Sequence, residues 1–208
     1  MLRKRFYLSL IPNLIVTAPK DENELGHLLY TAVEAGHPMA VRYPRSAGVG
    51  VAMDDELHTI AIGKGEVLRQ GEDIALLTLG APVYPALEAA EELASSGVRL
   101  MVANCRFAKP LDSKLVLGIA RRVKKIVTIE ENTLCGGFGA SVCALLQSAG
   151  VSDVRVKSMG IPDVFVEHGT PAALRAKFNL DAEGIARETL EFLSGERTKQ
   201  QSKLEAGD

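Results

Sequence analysis

Hydrophobic positions along this chain fall into short runs that alternate with stretches of helical spacing. Residues 14–17 form an apolar, β-branched run and read as a strand. Pro19-Lys20-Asp21-Glu22 then carries helix-opening chemistry. Leu25, Leu28, Leu29, Ala32 and Val33 follow at i, i+3, i+4, i+7 and i+8, which predicts a helix with those side chains inward. Gly36-His37-Pro38 ends it, and residues 39–42 predict a second short strand. A strand, a helix and a strand in that order favour parallel pairing through a right-handed crossover.

From 46 to 59 the periodicity vanishes, and Gly48, Gly50 and Asp54-Asp55-Glu56 mark a linker. Beyond it the pattern resumes. Strands are predicted at 65–68, 74–79, 98–103, 126–129 and 154–159. Helices are predicted at 84–95, 112–123, 138–149, 170–178 and 181–193. The first of these is opened by Pro82 and Pro85 and turns Leu87, Ala90, Leu93 and Ala94 inward. From 194 onward the tail is polar and reads as disordered. This alternation predicts an α/β fold, a mostly parallel sheet covered by helices on both faces, preceded by a β-α-β remnant. The remnant is too small to bury its own apolar faces. It must pack on the second block or belong to a longer domain.

Composition narrows the function classes. The 208 residues are 47% hydrophobic and 24% charged, within the globular range. A formal net charge of −2 gives no electrostatic basis for nucleic acid or an anionic membrane as partner. No apolar run reaches bilayer length. The basic start is followed by an apolar stretch broken at Pro12 and Asn13, unlike a signal peptide, so the cytoplasm is the default location. Cys105, Cys135 and Cys143 form no CxxC, and His27, His37, His58 and His168 are scattered. Neither a disulfide framework nor a metal site is expected.

In open α/β sheets ligands gather beyond the carboxyl ends of strands. Three clusters fall there: Arg42-Tyr43-Pro44-Arg45; Asn104-Cys105-Arg106-Phe107 with Lys109-Pro110; and Glu130-Glu131-Asn132 with Gly136-Gly137-Phe138-Gly139. Arg45 is the leading candidate, because a guanidinium on a short Pro-stiffened loop can fork two hydrogen bonds to a phosphate or carboxylate. From local sequence the alternative stands open that Arg42 and Arg45 pair with carboxylates or face water. The glycines lack the G-x-G-x-x-G spacing and read as a tight strand-to-helix turn rather than an anion cradle. Glu130 and Glu131 fit a general acid–base pair, ion pairs with Arg106 or Lys109, or contacts across a subunit interface. Asp163 and His168 lie in a turn-rich loop with no further metal ligands placed nearby.

Taken in order, these motifs resemble the 1-deoxy-D-xylulose-5-phosphate synthases of the transketolase superfamily. The likeness runs from Ile11-Pro12-Asn13 through Ala18-Pro19-Lys20-Asp21-Glu22-Asn23-Glu24-Leu25 and Arg42-Tyr43-Pro44-Arg45. It continues through Ile62-Gly63-Lys64-Gly65, Arg106-Phe107-Ala108-Lys109-Pro110-Leu111-Asp112, Glu130-Glu131-Asn132, Gly136-Gly137-Phe138-Gly139 and Gly160-Ile161-Pro162-Asp163. Each motif is modest alone; the ordered set covers nearly all of 11–193. The resemblance implies the end of a pyrimidine-binding domain over 1–45, a linker over 46–59, a transketolase C-terminal domain over 60–193 and a tail over 194–208.

It also implies a parent reaction in which pyruvate and D-glyceraldehyde 3-phosphate give 1-deoxy-D-xylulose 5-phosphate and CO2. Thiamine diphosphate and Mg²⁺ serve that reaction, and the product feeds isoprenoid, thiamine and pyridoxal synthesis. Arg45 matches the family arginine that grips the acceptor's phosphate. The family's diphosphate–Mg²⁺ segment and its catalytic Glu have no counterpart here, and Ser9 stands where an arginine is common. No catalytic, cofactor or metal residue is therefore expected in this chain, which reads as an expressed piece or a truncated copy. Its expected role is packing, as a homodimer or docked to the N-terminal domains. Two alternatives remain: a split, non-catalytic transketolase-like subunit, and the C-terminal domain of a 2-oxo-acid dehydrogenase β-subunit.

Overall fold

The computed structural model describes residues 4–195. The predicted disordered tail therefore lies, from 196 on, outside the described residues. The first block runs α1 (Lys4–Ser9), β1 (Ile15–Thr17), α2 (Glu22–Glu34) and β2 (Met39–Val41). The second runs β3 (Glu66–Arg69), β4 (Ile74–Leu79), α3 (Val83–Ala94), β5 (Leu100–Asn104), β6 (Phe107–Lys109) and α4 (Ser113–Arg122). It continues with β7 (Lys125–Thr133), α5 (Phe138–Ser148), β8 (Arg155–Ile161), α6 (Pro171–Lys177) and α7 (Ala182–Ser194).

The larger sheet has the order β3-β5-β4-β7-β8. Its last four strands are parallel, and β3 closes one edge antiparallel to β5. Every residue of β4 is buried, and its side chains alternate between two cores. Ile74 and Leu76 join Ala86, Ala89, Ala90 and Leu93 of α3 and Ile185 of α7. Ala75, Leu77 and Leu79 join Val116 and Ile119 of α4 and Val142 and Leu146 of α5. A strand with both faces covered has no polar alternation to show, which is why β4 reads as a continuous apolar run. The predicted α/β fold with helices on both faces is what the chain adopts. Within α3, Val83 and Ala86 point inward, while Leu87 is half-buried and the predicted inward Ala94 is exposed.

The first block docks by strand addition. β1 pairs in parallel with β2 and antiparallel with β6, giving a three-stranded sheet whose third strand comes from the second block. Phe107 of β6 completes a small core with Ile15, Leu28 and Ile60. In the sequence residues 107–109 read as part of a ligand loop, because three residues are too few for a period to show; they are a strand.

Helix α2 also corrects an expectation. Its buried residues are Glu24, His27, Leu28 and Thr31, whereas Leu29 is 46% and Val33 80% exposed. The helix turns a polar face inward because the segment from 46 to 60 and β5–β6 meet it with hydrogen bonds. Glu22 accepts main-chain N–H groups of Val49 (2.9 Å), Gly50 (2.6 Å) and Val51 (3.0 Å). Asn23 and Asp54 exchange two bonds, and Thr31 Oγ1 accepts the Ile60 amide at 2.8 Å. The 46–59 segment has no regular structure, as predicted, yet it is strapped along α2.

Candidate functional site

Two of the three sequence clusters follow parallel strands of the large sheet, β5 and β7, and the third, after β2 of the small sheet, reaches that edge through Arg42. The structure gives them different work.

The Arg42 amide donates to Thr17 O at 2.9 Å, which continues the β1–β2 ladder by one residue. Its guanidinium reaches across to the second block, where Nη2 donates to the main-chain carbonyl of Glu131 at 2.9 Å. Burial pulls this guanidinium below the ordinary arginine range, and the charges of Glu131 and Glu130 oppose that pull. Arg42 is thus an anchor. Arg45, three residues on, is exposed and has no hydrogen bond or ion pair to a described residue. It lines a cleft of about 1190 Å³ together with Lys20, Tyr84 and Arg175.

Most other charges in the cleft are already engaged. Lys20 lies 3.3 Å from Glu24, 3.5 Å from Glu66 and 3.6 Å from Asp21. Burial works against its charge, but those three carboxylates outweigh it and hold the ammonium above its usual range. Asp21 caps α2 through the Glu24 amide at 2.7 Å and accepts Tyr84 Oη–H at 2.8 Å. Burial, and then that carboxylate, push the Tyr84 phenol well above its ordinary value.

The Asn104–Arg106 cluster is a clamp between the two blocks. Arg106 donates from Nε to Glu24 at 2.5 Å, and its Nη2 lies 2.6 Å from Glu66. Asn104 Nδ2 donates to Glu24 at 2.9 Å. Arg106 takes a left-handed backbone (φ 54°), and its carbonyl accepts both Thr17 Oγ1 (2.7 Å) and the Ala18 amide (2.8 Å). Lys109 Nζ donates to the carbonyls of Ser9 and Ile11. Neither basic residue pairs with Glu130 or Glu131, contrary to one sequence alternative.

At the end of β7, Glu130 is 1% exposed and accepts the Gly139 amide at 3.0 Å. A carboxylate from the chain itself therefore occupies the α5 N-terminus, where a bound anion would otherwise sit. A Cβ on Gly137 would lie 2.4 Å from Glu130 Oε1, so the glycines form the tight turn that their spacing suggests. Glu131 points elsewhere and takes Arg175 Nε on its carboxylate at 2.6 Å.

Among the described residues, His27, Asp54 and His58 form a group of three potential metal ligands within 4.8 Å of one another. Sequence spacing gave no sign of it. His27 Nδ1 accepts the His58 amide at 3.2 Å, which leaves the ring proton on Nε2, donated to Asp54 at 2.7 Å. Both ring nitrogens are thus committed, and the trio is a latch for the 46–59 segment. Nothing in the sequence singles out Arg175, since one arginine on a short, alanine-rich helix carries no signal.

Comparison with known proteins adds the following. A profile of the transketolase C-terminal domain matches residues 63–185, and one of the transketolase pyrimidine-binding domain matches 2–49. A 1-deoxy-D-xylulose-5-phosphate synthase 1 of Geobacter metallireducens is 51% identical over 189 residues, which is 91% of this chain and 30% of that protein. Its counterpart in Geobacter sulfurreducens is 52% identical over 188 residues, again 90% against 30%. The chain therefore spans about 30% of the length of these relatives. Among solved structures, a split-gene transketolase described as an inactive β4 tetramer superposes with a TM-score of 0.82 at 31% identity. The match covers 92% of this chain and 62% of that one. A Pichia stipitis transketolase mutant bound to a fructose phosphate shares the fold at TM-score 0.65 and 17% identity, covering 93% and 27%.

Proposed function

This chain belongs to the transketolase family, whose C-terminal domain it carries over 63–185, and from that premise we propose that it works as the C-terminal part of a 1-deoxy-D-xylulose-5-phosphate synthase. In this reading residues 1–45 close the pyrimidine-binding domain, 46–59 are the strap, and 60–193 form the C-terminal domain. The parent reaction joins pyruvate to D-glyceraldehyde 3-phosphate with loss of CO2. This chain supplies the grip on the acceptor's phosphate through Arg45.

The observation that carries the proposal is the state of Arg45 itself. Its neighbour Arg42 is tied to Glu131, Pro44 stiffens the loop, and the Arg45 guanidinium is left exposed beside a large cleft. A free fork suits a phosphate oxygen pair. In the assembled enzyme, Arg45→Ala raises KM for the phosphorylated aldehyde and leaves pyruvate kinetics nearly unchanged. The loss is about 1.5–3 kcal/mol, the worth of a charge-assisted contact. An unchanged kcat/KM for the aldehyde sinks the assignment.

Mg²⁺ does not fit the three-ligand group described here. Magnesium asks for oxygen ligands, and the one three-ligand cluster among the described residues is the committed His27–Asp54–His58 latch. The chain's own part is accordingly to bind, pack and orient. The exposed Leu29 and Val33 on α2 offer an apolar face to the enzyme's other domains or to a second copy. A second reading, a separately encoded non-catalytic subunit, is favoured by the likeness to the split-gene transketolase. Product formed by the purified chain, given both substrates and the coenzyme, overturns both.

A further inference from the structure

Arg175 approaches the Arg45 cleft from α6, and its geometry is that of an aimed side chain. Nε donates to Glu131 Oε1 at 2.6 Å, with the arginine side chain 28% exposed and the glutamate 14%. One carboxylate oxygen on Nε fixes the plane of the guanidinium. The two η nitrogens make no hydrogen bond to a described residue, and the residue lines the cleft. Glu131 can do this because the β7–β8 register breaks between Ile129 and Thr133, which frees residue 131 from the ladder. Its carbonyl meanwhile holds Arg42, so one residue ties both α6 and the Arg45 loop.

We propose that Arg175 is a second anion-binding residue of this cleft, aimed by Glu131, and that with Arg45 it takes a phosphate monoester. The inference rests on reading Arg45 as a phosphate ligand. Hydrogen-bond accounting supports it. The cleft carboxylates of Asp21, Glu22 and Asp181 are spent on Glu24 and Tyr84, on the strap amides, and on the Gly184 amide. Lys20 is spent on Glu24 and Glu66. Glu88 remains at the rim, and the cationic groups left to meet an anion are Arg45 and the η nitrogens of Arg175.

Glycerol 3-phosphate titrated into the full 208-residue chain, followed by amide NMR shifts and calorimetry, tests this, with glycerol as the uncharged control. Arg45→Ala and Arg175→Ala should each weaken binding about tenfold or more. Arg175→Lys should recover only part, because an ammonium cannot hold Glu131 and fork to a ligand in one fixed plane. It also keeps an ion pair, so it remains informative if the alanine variant fails to fold. If Arg175 only tacks α6 to the sheet, its variants lower Tm and leave affinity within about twofold. That result overturns the inference and spares Arg45. Loss on Arg175→Ala with Arg45→Ala unaffected overturns the Arg45 assignment instead. No binding by the unaltered chain overturns both.

Discussion

The five-stranded sheet is held by side chains that water excludes from both faces, whereas the joint between it and the first block is held by charge. In the sheet, β4, β5 and β7 feed two apolar cores through strict alternation. At the joint, Glu24 sits 2% exposed among Lys20, Asn104 and Arg106. The first arrangement tolerates little loss of volume and the second little loss of a partner. Cutting each in its own currency tests the contrast. Leu77→Ala, in the fully buried strand, should cost about 3 kcal/mol through lost transfer energy and a cavity, read by denaturant unfolding of the whole chain.

Arg106→Ala should cost less and act locally, by about 2 kcal/mol. The full penalty for orphaning a buried charge is larger, but Lys20 and Asn104 still reach Glu24. The Ala18 amide, which rests on the Arg106 carbonyl, should lose exchange protection before the β4 amides do. Simultaneous loss at both places would mean that the two regions are one cooperative unit, and the contrast would fail.

This difference in materials also decided what could be read in advance. Apolar runs and caps are local signals, so the starts of the core strands and the helix starts at Asp112, Thr170 and Asp181 lie within about two residues of their predicted places. The joint depends on pairs such as Glu24–Arg106, 82 residues apart, and leaves no period behind. The inward face of α2 was therefore misassigned: a helix that buries Glu24, His27 and Thr31 looks, residue by residue, like one that buries Leu29 and Val33. The position of Arg45 beside a cleft followed from strand order and loop chemistry. Its companion Arg175 depended on a register break that no sequence pattern announces.

The smallest effect expected is in the strap, and acid should reveal it. The Glu22 carboxyl lies below its ordinary value of 4.5, held there first by its own main-chain N–H and then by Gly50, Val49 and Val51. Asp54 lies below 3.8, first through Asn23 and then through His27. Both groups bind protons less readily in the folded chain than in the unfolded one. Their contribution is complete above about pH 5 and fades as pH falls through the folded values. Because both groups face water, the global Tm should move little, and the strap should loosen alone. Amide exchange at Gly50 and Val51 should accelerate on acidification, once the intrinsic pH dependence is removed, while β4 amides stay protected. Acid protection at Gly50 that tracks β4 would show the strap to be part of the apolar core's cooperative unit rather than a separate, charge-held layer.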